Sequence, residues 1–333
     1  MKRVDQLTLR LRRWKRTTSA HLRSRDGLAR IVQPLFGPVP DPARLVLDLQ
    51  AGWSSGAVER PLTPADWKDV ITDVVEWLGP VPVTAILKGG AEDWCMRVVR
   101  YAHRLECPVT LETRGEGFDD AQCKQFLLAG VAKVRVDLDG KSLTPEREAS
   151  TQSVVRFLET RKKLATQAEV VVRLHCDQET AAEIPALVGW ALQVGVDGVE
   201  FVAPTHGPVG DVSLPAAAAE RIARVEGGAG PACRTPAGTL EAIQAVWAEA
   251  ADAPGASRQS SRDGARCPVG GLRVEVRADG SFGACPFQAP AGCWQKGTRL
   301  GELWEQGGEH HAAIAACDRV CQHPEYGGPT TGR

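Results

Sequence analysis

The 333-residue chain contains no apolar run of about 18 residues, so it offers no membrane-spanning helix at the sequence level. It also lacks net charge: 40 Lys and Arg face 41 Asp and Glu, and a balance of -1 points to no polyanionic partner. A Ser–His–acid set, a phosphate loop and an H-E-x-x-H pattern are missing too, which removes three familiar catalytic readings. The first residues, Met1-Lys2-Arg3 followed by Asp5, Gln6 and an Arg-rich run, show neither an apolar block nor a small-residue cleavage site. A cytoplasmic setting is therefore expected, with the ten cysteines read as thiols that act as ligands, reactive groups or core filler. What is present is ordinary globular material: 43% apolar and 24% charged residues, enough for one large domain or two smaller ones.

The neutral total conceals an uneven distribution. Residues 1–30 hold ten basic and two acidic residues, and Leu7, Leu11 and Trp14 recur there at helical spacing among Arg10, Arg12, Arg13, Lys15 and Arg16. A basic amphipathic helix of this kind docks on a membrane surface, on an acidic peptide or protein, or simply caps the fold. No recognised nucleic-acid motif accompanies it, and no nucleic-acid partner is expected.

From about residue 44 to 204 short β-branched runs alternate with stretches of helical spacing. Strands are expected at Arg44–Gln50, Val83–Lys88, Pro108–Thr113, Lys133–Leu138, Glu169–His175 and Gly198–Ala203, with helices near 64–78, 92–105, 118–129, 147–165 and 178–194. Six such repeats predict an α/β fold with a parallel sheet, either doubly wound or part of a (β/α) barrel. The chain divides into a basic extension (1–40), this barrel-like region (41–226), a helix and linker (227–266) and a small C-terminal module (267–333). That last module holds five of the ten cysteines, and its little core calls for a staple.

Within the module, Leu272–Arg277 alternates as a strand, Ala278-Asp279-Gly280-Ser281 forms a hairpin turn, and a second short strand carries Cys285 back alongside Cys267. A helix is expected to begin around Leu300-Gly301-Glu302-Leu303-Trp304, and Cys317 and Cys321, three residues apart, share one face of a helical turn. Two thiolates from the hairpin and two from the turn make a four-sulfur site, which selects an iron–sulfur cluster or zinc. The zinc alternative draws on His310, His311 and His323 nearby, because zinc accepts mixed Cys/His sets. Cys293 is an alternative ligand, Cys233 is more distant, and reduced cysteines packed in a core are the plainest reading.

The pattern Cys267-x12-Gly280-x4-Cys285, then Leu300-Gly301-Glu302-Leu303-Trp304, then Cys317-x3-Cys321 resembles the SPASM or twitch extension of radical S-adenosylmethionine (SAM) enzymes. Upstream, Lys88-Gly89-Gly90-Ala91-Glu92 stands where that family carries Gly-Gly-Glu-Pro, Thr113-Arg114-Gly115 where it reads Thr-Asn-Gly, and Asp137-Leu138-Asp139-Gly140 where it reads Ser-Leu-Asp-Gly. The resemblance covers roughly residues 44–325. It implies a partial (β/α)6 radical-SAM-like barrel with a SPASM/twitch-like module and one auxiliary [4Fe–4S] cluster on Cys267, Cys285, Cys317 and Cys321. It also implies a vestigial SAM site at Gly89, Gly90 and Glu92, with Asp137, Asp139 and Arg173.

Against that family one feature is absent. The loop after the first strand, Ala51–Arg60, contains no cysteine, where radical SAM enzymes place C-x-x-x-C-x-x-C. Serine or glutamate oxygen is a hard ligand and a poor substitute for thiolate. Cys95, Cys107 and Cys123 make no cluster motif and are expected in the core. The resulting expectation is a degenerate member without a radical-initiating cluster, serving as an accessory or partner protein to an active radical SAM enzyme in peptide or natural-product maturation. Two alternatives stand beside it: an active maturase that relies on a partner subunit or non-standard ligands, and a zinc-stapled binding module on a catalytically empty barrel.

Overall fold

The structure is a computed structural model, and it describes residues 42–50, 60–87, 92–138, 145–175, 183–202, 273–285 and 288–315. In chain order the elements are β1 (Leu45–Asp48), α1 (Pro64–Leu78), β2 (Val83–Leu87), α2 (Asp93–Arg104), β3 (Val109–Thr113), α3 (Asp120–Leu128), β4 (Val131–Leu138), α4 (Pro145–Leu164), β5 (Glu169–His175), α5 (Ile184–Val194) and β6 (Gly198–Val202). Then follow β7 (Val274–Arg277), β8 (Ser281–Gly283), β9 (Gly292–Cys293), α6 (Leu300–Gln306) and α7 (Gly308–Ala315). The six strands and five helices expected from the repeats are all present, with ends shifted by a few residues. The helices expected near 215–225 and 239–251, and the basic N-terminal helix, lie outside the described residues. Among the described residues no helix is long and apolar enough to cross a membrane.

The chain forms two compact units: Met1–Ile86, Asp93–Val109 and Arg266–Cys317 make the first, and Leu87–Glu92, Thr110–Ala265 and Asp318–Arg333 the second. In the first unit, β1 pairs in parallel with β2 on one edge and with β7 on the other, Leu45 standing beside both Val83 and Val274. β8 and β9 then add antiparallel strands outside β7. The described part of the C-terminal segment is thus built onto the edge of the first strand. The hairpin turn forms at the expected residues, with Gly280 at φ +81° and its N–H donating to the Arg277 carbonyl at 2.9 Å.

α1 starts where the sequence supplies a reciprocal cap: Thr63 Oγ1 accepts from the Asp66 N–H at 3.2 Å, and the Asp66 carboxylate accepts from the Thr63 N–H at 2.9 Å. Trp67, Val70, Ile71, Val74 and Leu78 follow at helical spacing and are buried, as are Cys95, Val98, Val99 and Ala102 of α2. α6 packs on α1 through Trp304, whose ring centroid lies 6.2 Å from that of Trp77. The buried Asp73 carboxylate accepts from the backbone N–H of Leu300, so a side chain of α1 caps the start of α6. Gly301 makes this approach feasible, since a Cβ there would meet the Trp77 ring at 2.9–3.0 Å. Gly301→Val is therefore expected to cost about 1–3 kcal/mol by overpacking, read as a lower urea midpoint. Gly308→Ala, where a Cβ meets nothing within 4 Å, should leave the midpoint near wild type.

In the second unit β4, β5 and β6 run parallel, with Val136 beside Val172 and Asp137, Arg173 and Glu200 in one row. Val134, Val136, Leu138, Val170, Val172 and Leu174 make one buried apolar face, and α3 and α4 pack against its strands. Phe118 stacks at tilted angles on Phe126 and Phe157, with centroids 5.6 and 5.5 Å away, and all three are fully buried. Cys123 sits in this core, and burial pushes its thiol up to about 12. Cys107 is raised for the same reason, and Cys95 is completely buried. All three are core residues, as expected from their lack of a cluster motif.

Candidate functional site

The other face of the second unit's strands is charged. Strand residues alternate between faces, so Arg135 and Asp137 of β4, Arg173 of β5, Glu200 of β6 and Glu112 of β3 share one side. Glu112 bridges the two guanidiniums, with Oε1 2.9 Å from Arg135 and Oε2 3.2 Å from Arg173. Arg173 also takes Asp137 in a two-pronged contact, Nη2 to Oδ2 at 2.9 Å and Nε to Oδ1. Glu200 lies 3.2 Å from Arg135 Nε. Burial would lower the Arg173 pKa, but the carboxylates of Asp137, Glu112 and Glu200 together raise it well above the ordinary guanidinium value. Five ionised groups are thus held in mutual contact, and all three nitrogens of the Arg173 guanidinium are engaged.

This bears on the predicted SAM site. Asp137 and Arg173 are brought together, but they hold each other rather than presenting open groups. Three of the five guanidinium N–H donors of Arg173 are thus directed at carboxylates. Glu92 is exposed immediately before α2, and Gly89, Gly90 and Asp139 lie outside the described residues. The loop after β1 departs from the family's cysteine pattern, and Arg173 is held by Asp137 and Glu112. Thr113 and Gly115 of the matched triplet make a local turn, Thr113 Oγ1 accepting from the Gly115 N–H at 3.0 Å.

The C-terminal site is built around a single residue, Ala284. Cys285 is 5% exposed, two residues beyond β8. The β7–β8 register sets Glu275 beside Gly283, and Arg273 and Cys285 lie just beyond these strands. Arg273 Nε donates to the Ala284 carbonyl at 3.0 Å, and its Nη2 donates to Glu275 Oε2 at 2.8 Å. Glu275 Oε1 in turn accepts from Arg277 Nε at 2.8 Å. From the other side, α7 supplies His310, whose Nε2 accepts from the Ala284 N–H at 2.9 Å while Nδ1 donates to the Ala289 carbonyl at 2.6 Å. That pair of bonds requires the neutral Nδ1–H tautomer. Burial lowers the His310 pKa in agreement, the neighbouring His311 adding to it and the Ala289 bond opposing it.

Both ring nitrogens of His310 are therefore engaged, and His311 gives Nε2 to the Trp304 carbonyl at 3.0 Å. Cys293 falls at the opposite end of β8, beside Ser281 and the hairpin turn. Its exposed thiol donates to the Asp279 carbonyl at 3.7 Å, and burial together with Asp279 raises its pKa. Cys267, Cys317, Cys321 and His323 lie outside the described residues. Among the described residues no group of three or more His, Cys, Asp or Glu side chains is arranged to hold a metal ion.

Sequence reasoning missed Glu112, Arg135 and Glu200 in the second unit, and Arg273, Glu275 and Arg277 in the first. A signal was there: Lys133-Val-Arg135-Val-Asp137 and Arg273-Val-Glu275-Val-Arg277 alternate charge with β-branched residues at the strand period.

No family model and no curated protein matches the chain. Solved structures do. SuiB of Streptococcus suis bound to the precursor peptide SuiA superposes with a TM-score of 0.57 at 11% identity, covering 87% of this chain and 70% of that one. SuiB alone gives 0.53 at 12% identity, and there the chain spans 65% of SuiB, less than two thirds of its length. The structure of anSMEcpe with bound AdoMet and the Cp18Cys peptide gives 0.54 at 14% identity, covering 85% and 86%. The α/β fold of this chain is the radical-SAM-like partial barrel.

Proposed function

We propose that this radical-SAM-like chain is an iron–sulfur protein that holds one auxiliary [4Fe–4S] cluster and starts no radical itself. The ligands are Cys267, Cys285, Cys317 and Cys321, and the segment 267–333 is the binding module. The observation that carries the reading is the clamp on Ala284, the residue before Cys285. Its carbonyl is held by Arg273, six residues after Cys267, and its N–H by His310, seven residues before Cys317. Arg273 and His310, near Cys267 and Cys317 in sequence, are thus both anchored on the residue before Cys285, which supports the reading.

The donor chemistry fits the group. Sulfur-only ligation suits an iron–sulfur cluster, and the two described histidines that a mixed zinc site would use are engaged with backbone. When bound, a cluster supplies a one-electron store. The residues of this chain keep Cys285 out of water and fix its backbone. A peptide or natural-product substrate shared with an active radical SAM partner is supported by the peptide-bound state of SuiB, a structural neighbour, and by the basic residues of the first 30 positions, which suit an acidic partner.

Anaerobic reconstitution tests the reading: the purified chain should turn brown, absorb near 400 nm and hold about four irons. A content of about eight irons, or 5′-deoxyadenosine formed from SAM with dithionite, overturns it. A colourless protein containing zinc overturns it in favour of the stapled binding module.

A further inference from the structure

Arg273 stands in an unusual place for a charge. It is 6% exposed, and its Nε donates to the carbonyl of Ala284, the residue before Cys285. A buried guanidinium is costly unless a carboxylate accompanies it, and here that carboxylate is shared. Glu275, 4% exposed, gives one oxygen to Arg273 and the other to Arg277. Asp48 of β1 stands at the register position of Arg277, further along the strand and away from Cys285.

Reduction adds negative charge to a cluster, so a nearby buried cation favours the reduced state and a nearby buried anion opposes it. Net charge, hydrogen bonding and solvent exposure are the levers that set such potentials. In water these effects are screened; inside the β7–β8 hairpin they are not.

We propose that Arg273 and Glu275 are positioning residues that set the reduction potential of the cluster bound through Cys285, Arg273 raising it and Glu275 limiting that rise. The proposal rests on the cluster reading above. Neither residue is a ligand; both act through the charge and backbone geometry they impose beside Cys285.

The test is a dithionite redox titration of the reconstituted full chain, followed by electron paramagnetic resonance, with iron content and circular dichroism measured on every variant. Arg273→Gln should move the midpoint to more negative potential, and Glu275→Gln should move it to more positive potential. Arg273→Lys, which keeps the charge, should restore a midpoint close to wild type. Shifts of the same sign in Arg273→Gln and Glu275→Gln mean a general loosening of the site and overturn the assignment, as does the absence of any shift. If Arg273→Gln loses its fold, Glu275→Gln decides alone: a positive shift supports the assignment and any other result overturns it. A wild-type chain that takes up no iron overturns the cluster reading itself, and the role of this pair with it. A wild-type chain with about four irons whose midpoint ignores both substitutions overturns only the role of the pair.

Discussion

Cys285→Ala is expected to strip the reconstituted chain of most of its iron and of its absorbance near 400 nm, whereas Cys293→Ala and Cys95→Ala should keep both. The reason is positional. Cys285 is buried beside Ala284, which Arg273 and His310 hold from two sides. Cys293 pairs with Ser281 at the far end of β8. Four strand residues at about 3.3 Å each separate the two cysteines by roughly 13 Å along the chain, too far for both sulfurs to sit about 2.3 Å from a single zinc ion. Cys95 lies fully buried in the α2 core. Iron assay and visible spectra of the three variants read the outcome. Bleaching in Cys95→Ala, or iron retained in Cys285→Ala, would show the ligand assignment to be wrong.

The second large effect concerns stability. Arg173→Met removes the cation that Asp137 and Glu112 share and leaves both carboxylates in place without it. Breaking such a buried arrangement from one side costs about 3–5 kcal/mol. The penalty should depend on pH. In the variant the folded-state carboxylates are harder to ionise than in the unfolded chain, so the folded state binds more protons and loses stability as pH rises. Urea midpoints of the two proteins should therefore lie closer together near pH 4 than at pH 7. Equal differences at both values would mean that the network does not carry these charges as described. Adding Asp137→Asn to Arg173→Met should recover part of the loss, which marks the penalty as electrostatic rather than a packing defect.

The six strands from β1 to β6 were legible as short β-branched runs and β7 as an alternating one, and α1 was legible as a stretch of helical spacing between two such runs. The partner of a strand was not. Val274–Arg277 reads as half of a hairpin, and nothing in those four residues says that their other edge will meet Leu45–Asp48. Pairing across such a separation is decided by tertiary packing, which local propensity does not encode. The docking of α6 is similar. Leu300-Gly301-Glu302-Leu303-Trp304 announces a helix, yet the need for glycine appears only when the Trp77 ring lies against it. The charged face was half legible: Asp137 and Arg173 drew notice through the family resemblance, whereas Glu112, which ties the two arginines together, sits in an ordinary Val-Thr-Leu-Glu-Thr strand.

The parallel junction of β1 with β7 has a consequence for biosynthesis. At 5–20 residues per second, roughly 10–45 seconds of translation separate these two strands. During that interval the emerging polypeptide carries the first strand with one edge open, the kind of surface on which chains stick to one another. Ribosomal pausing or truncation anywhere before residue 274 should therefore yield aggregates or chaperone-bound fragments rather than a soluble half-protein.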